Sequence, residues 1–174
     1  MIILKLISKV FKILTSNESP SQIAWAAVLG MILGLTPFWT LQQILVIFLI
    51  IILKVNITMA ILSLFLFKGI AWMIDPLLHS IGFYLLVDFE ALKTMWTSLY
   101  HAPVVPLTKF YNTVVLGAFV ASLILLEPVF LFSKYTVVLY RTKLNARFQK
   151  LKIVKIIKSS GLYGAFTKFR KLGD

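Results

Sequence analysis

The chain has 174 residues, 60% of them hydrophobic and only 14% charged, with a net charge of +12. A mean hydropathy of +0.94 excludes a soluble globule of this size, because a small domain cannot bury three-fifths of its residues. The lack of cysteine excludes disulfides and thiol–metal sites, and long apolar runs with short polar gaps read as an all-α, polytopic integral membrane protein.

Residues 1–16, MIILKLISKVFKILTS, predict an amphipathic helix. Lys5, Lys9 and Lys12 share a polar face of about a third of the circle. Such a helix lies in the membrane interface or packs on the protein's own spans, with its lysines cytoplasmic in either case. No small-residue cleavage site follows it, so no cleavable signal peptide is expected.

Residues 19–135 read as the membrane domain. Ser19-Pro20-Ser21-Gln22 predicts a capping box with proline at the first helical position. The helix that follows, about 21–37, carries Ala26, Gly30 and Gly34 at four-residue spacing. Such a stripe lets another backbone approach closely in lipid. From Pro20 to Pro37 it rises roughly 27 Å, close to the hydrocarbon thickness. The apolar run from Phe38 to Met73 breaks only at Lys54-Val55-Asn56, which predicts spans at about 39–53 and 57–74. Asn56 caps the second, and Lys54 reaches the interface.

Asp75-Pro76 then reads as a fresh helix start. Residues 76–87 are too few to cross and are expected to be re-entrant or interfacial. Residues 88–106 hold Trp96, Tyr100, His101, Pro103 and Pro106, the makings of an interfacial helix and loop. A fourth span is predicted at about 107–133, with Gly117 and Ala121 at four-residue spacing and Glu127-Pro128 in its final third.

Residues 136–174 form a basic tail, with ten basic residues and one acid from Arg141 onward. Its lysines and arginines include Arg141, Lys143, Arg147, Lys150, Lys152, Lys155 and Lys158. Next to membrane spans, anionic headgroups are the expected partner rather than nucleic acid. The apolar face shifts within the tail, predicting breaks near residue 151 and at Ser159-Ser160-Gly161. With four spans, fifteen basic residues share the side of both termini against Lys93 and Lys109 on the other. The positive-inside rule therefore places both ends in the cytoplasm. A crossing by 76–87 would expel the tail and is rejected.

Ser19 to Pro76 resembles a bacterial membrane family known as domain of unknown function 2062. The matching features are Ser19-Pro20, the small-residue helix Ala26 to Gly34, Thr36-Pro37, Leu41-Gln42, Lys54-Val55-Asn56 and Asp75-Pro76. Two positions depart from the family pattern: Trp39 stands where glycine is common, and Asp75 replaces asparagine before Pro76. The basic tail is similar to that of a subgroup from bacteria with outer membranes, often encoded beside a larger envelope protein. The resemblance implies a multi-pass inner-membrane protein and carries no established activity.

Among candidate polar residues, Lys68 sits eleven residues into a span, where a charge costs roughly 2.5–3.5 kcal/mol. With Asp75 and His79 it forms a cluster able to hold a headgroup or relay protons. The preferred alternative has Lys68 snorkelling, Asp75 capping and His79 wetted at the interface. Glu127 reads as an interfacial partner for Lys134 or Lys54, and Gln42 and Gln43 as helix glue. Two histidines 22 residues apart and six acids assemble no recognisable catalytic or metal site, so no enzyme activity, cofactor or metal is expected. The expected role is a non-catalytic inner-membrane subunit that anchors or assembles a larger envelope complex, one that handles lipid among the options, with homo-oligomerisation open. The alternative is a small transporter or channel component acting as an oligomer.

Overall fold

The computed structural model describes residues 9, 10, 12–37 and 39–144. All regular structure among them is helical, as the sequence predicts. Helix α1 is Pro20–Leu35, α2 Leu41–Ile52, α3 Ile57–Phe83, α4 Lys93–Tyr100 and α5 Thr113–Leu139. Residues 9, 10 and 12–14 are also helical, with Lys9 and Lys12 exposed and Ile13 buried. By contacts the chain divides into a unit ending at Tyr135, which holds the bundle, and a second from Thr136, helical as far as Leu144.

The predicted caps form. Ser19 Oγ accepts from the Gln22 amide at 3.2 Å while Gln22 Oε1 accepts from the Ser19 amide at 2.9 Å. Asn56 Oδ1 accepts from Met59 N at 2.7 Å, and its Nδ2 donates to Glu18 Oε2 at 2.6 Å. One side chain thus starts α3 and ties it to the start of α1.

The contacts give the directions of the helices. Glu18 meets Asn56, Gly30 packs on Ala60 and Ser63, and Gly34 packs on Leu64 and Phe67. Helices α1 and α3 therefore run parallel and packed directly on each other, while α2 returns along the outside of α1 and buries only Gln43 and Val46. Thr113 lies against Gly82, Gly117 against Leu78, and the Phe130 ring is 5.0 Å from Trp25. Helix α5 thus runs antiparallel to both. The shared core joins Val28, Met31, Leu35, Ala71, Leu78 and Ala118.

Two expected boundaries are corrected. The break at Asp75-Pro76 is absent: α3 continues through Pro76 to Phe83, and a π-helical turn carries it to Asp88, so 76–87 is no separate helix. Asp-Pro is a strong start signal in water. In apolar surroundings each open backbone group costs far more than the one bond a proline removes. The fourth expected span, α5, begins at Thr113 rather than 107, because Val105–Thr108 forms a 3-10 turn and Lys109 turns left-handed at φ 56°.

Lengths also separate the helices into two classes. Ile57–Asp88 and Thr113–Thr142 are long and apolar enough to cross a membrane. Helices α1 and α2, of 16 and 12 residues, rise only about 24 and 18 Å. Two of the four expected spans are thus shorter than the hydrocarbon core, which is about 30 Å thick.

Candidate functional site

The small residues singled out in the sequence are seams inside the chain. A Cβ on Gly30 would strike the Ala60 carbonyl, and one on Gly34 would come within 2.6 Å of the Leu64 carbonyl. Gly117 lies as tightly on the Leu78 carbonyl, and Gly82, which belongs to no four-residue stripe of small residues, on that of Thr113. Ala26 is fully buried in the α1–α3 core, and Ala121 packs on the core shared with α5. Backbones this close admit hydrogen bonds between helices: Ser63 Oγ donates to the Ala27 carbonyl at 2.6 Å.

Where α1 ends, its last carbonyls need partners, and side chains supply them. Thr36 Oγ1 donates to Ile32 O at 2.8 Å. Gln43 Nε2 reaches Thr36 O at 3.3 Å and Leu33 O at 3.5 Å. Lys68 Nζ donates to Thr36 O at 3.2 Å. The ammonium thus stands at the negative end of the α1 dipole, half-buried, instead of reaching outward. Thr36, Thr40 and Gln43 are buried around it. Trp39, at the turn, takes φ 67° and is 88% exposed. That left-handed backbone is one glycine adopts without strain, and glycine is what the family pattern favours there.

Lys68, Asp75 and His79 do not close into one bonded cluster. Lys68 serves the end of α1, whereas His79 Nδ1 lies 2.6 Å from Thr113 Oγ1 at the start of α5. Asp75 is exposed. Glu127 is exposed and Lys134 stands over the Phe130 ring, 5.8 Å from its centroid. Among the described residues the ion pair present is Lys93 with Glu90, at 3.2 Å on the surface. No group of three or more acidic or histidine side chains able to hold a metal occurs among the described residues. Arg141 lies in the π-helical turn after α5, whose backbone also includes Lys143. Lys5, Arg147, Lys150, Lys152, Lys155 and Lys158, and the expected breaks near 151 and at 159–161, lie outside the described residues.

At the opposite end from Asn56, α4 and the loop after it form an aromatic crown. Trp96 Nε1 donates to the Leu85 carbonyl at 2.8 Å and its ring stacks on Phe110 at 5.5 Å. Tyr100 meets Tyr111 edge-on at 5.8 Å. These rings line an open recess of about 330 Å³. A second, of about 270 Å³, is lined by His79, Ser80, Phe83 and Asp88.

A family described as "Uncharacterized protein conserved in bacteria (DUF2062)" matches residues 5–145. The chain belongs to this family. The DUF2062 match takes in the whole bundle and its crown, well beyond the stretch that carries the resemblance in the sequence. An uncharacterized protein of Treponema pallidum (strain Nichols) is similar, 30% identical over 152 residues that cover 87% of this chain and 93% of that one. No solved structure matches.

Proposed function

We propose that this DUF2062 chain is a non-catalytic subunit of the bacterial inner membrane that anchors or assembles a larger envelope complex, with both termini in the cytoplasm. The observation that carries this reading is the surface of α2. The helix buries only Gln43 and Val46, leaving Ile44, Phe48 and Ile51 59–65% exposed. A helix about 18 Å long that is apolar on nearly every side suits the apolar segment of another protein. The small-residue seams lend no support here, because the chain's own helices occupy them. A photo-reactive residue in place of Phe48 should cross-link a larger protein in stoichiometric yield, while the same residue at Phe132 should give mainly lipid adducts. Lipid adducts alone at both positions, with a chain that purifies singly and monodisperse, would overturn the reading.

Contact with anionic headgroups rests on exposed Lys9 and Lys12 and on the composition of the tail. Binding of the full chain's cytoplasmic face to anionic vesicles should weaken steeply as salt rises. Equal binding to neutral vesicles argues against it.

A second reading, a small transporter or channel component, is favoured by Lys68 and the polar groups at the end of α1. It requires proton flux, read by a pH-sensitive dye in reconstituted vesicles, to vanish in Lys68→Ala.

A further inference from the structure

Depth along the bundle follows from residue counts. Lys68 lies eleven residues past Ile57, about 17 Å along α3. Gly82, where α5 begins beside α3, lies a further fourteen residues on, about 21 Å higher. The turn between α1 and α2 touches α3 at Lys68. Gly34 already packs beside Phe67 and the Lys68 backbone. The turn therefore lies just past that level, about midway along the stretch that α3 and α5 traverse together, and α2 also touches the Val105–Thr108 turn. Helix α1 starts and α2 ends at the level of Glu18 and Asn56, which are hydrogen-bonded.

A turn at that height brings non-helical backbone into the hydrocarbon, which is tolerated only where protein or water surrounds it. Its polar groups are handled in part by Gln43 and Lys68. Two remain. Thr40 is 1% exposed and its Oγ1 has no hydrogen-bond partner among the described residues, nor has the buried Oε1 of Gln42. Both belong to the start of α2. Leaving such atoms bare costs about 1–3 kcal/mol each, and a site with several polar groups is where a buried water is held.

We propose that α1 and α2 form a re-entrant hairpin, entering and leaving on one side of the membrane, and that Thr36, Thr40, Gln42, Gln43 and Lys68 at its tip form a water-binding site within the bilayer. The chain then crosses twice, by α3 and α5, rather than four times. The hairpin stands whether or not a larger partner exists.

The chain has no cysteine, so single-cysteine variants of the full protein test the topology directly. In right-side-out vesicles a bulky impermeant maleimide should label Val104→Cys at once and Asn17→Cys only after permeabilisation. Trp39→Cys should stay unlabelled from both sides until detergent is added. Labelling of Trp39→Cys from outside at the rate of Val104→Cys would establish a full crossing and overturn the hairpin, and labelling at the rate of Asn17→Cys would place the turn outside the membrane.

The water is tested separately by isosteric variants. Thr40→Val and Gln42→Leu should each lower the Tm in mild detergent by about 2–4 °C, since each removes a bond to held water. An unchanged or raised Tm means the polar atoms were unpaired, and the site does not hold water.

Discussion

Gly30 and Gly69 sit on the same bundle in opposite circumstances, and the contrast measures what the seam contributes. A Cβ at Gly30 meets the rigid backbone of Ala60, whereas one at Gly69 meets nothing within 4 Å. Gly30→Val therefore forces α1 and α3 apart and should cost about 1–3 kcal/mol or more. Gly69→Ala should be neutral or stabilising by about 0.5–1 kcal/mol, because alanine loses less backbone freedom in a helix. Denaturant unfolding in mixed micelles reads both; an equal loss in the two would mean that glycine acts through general helix propensity and not through the seam. Trp39 supplies the converse case. Its left-handed φ strains a bulky side chain that is 88% exposed, so little packing within the chain is lost on truncation. Trp39→Gly should leave the Tm unchanged or raise it, and a fall would show that the indole holds the turn through contacts outside this chain.

Asn56 is where side-chain chemistry decides the layout of whole helices. It caps α3 through Oδ1 and grips Glu18 through Nδ2, which fixes α1 and α3 side by side at their starts. Asn56→Ala removes both bonds, with cap loss alone costing about 0.5–2 kcal/mol. Asn56→Asp keeps the cap but sets a carboxylate against Glu18, so it should retain α3 while loosening α1. Hydrogen exchange at the amides of Gln22 to Ala27 would rise in both variants, and exchange at Met59 only in Asn56→Ala. Much of this was legible in the sequence because local rules govern it: the capping box at Ser19, the Asn56 cap and the small-residue face of α1 all form as the residue order predicts. Pro76 and Gly82 were not legible. Asp-Pro carries the same local signal whether the chain stops there or is held helical by neighbours. Gly82 has no small residue four positions before or after it, and only the meeting of α3 with Thr113 gives it a role. Likewise, the engagement of Lys68 with the end of α1 depends on a contact across 32 positions in sequence, which helical periodicity does not encode.

The proposed orientation follows from a charge imbalance larger than any one segment of the chain. Two crossings and four give the same result, because both are even, so the basic residues of the two ends and of Lys54 and Lys134 share one side in either layout. Fifteen lysines and arginines then stand against Lys93 and Lys109, and Lys93 is already held by Glu90. Deleting residues 145–174 removes eight of the fifteen and still leaves seven against two, a bias of unchanged sign. The truncated chain should therefore keep its amino terminus inside, as reported by a fusion active only in the cytoplasm. The additional changes Lys5→Gln, Lys9→Gln and Lys12→Gln leave four against two, within reach of inversion, and mixed reporter activity should emerge at that step. Inversion on tail deletion alone would mean that the tail dictates insertion through a bound partner, since charge counting by itself cannot reverse the chain there.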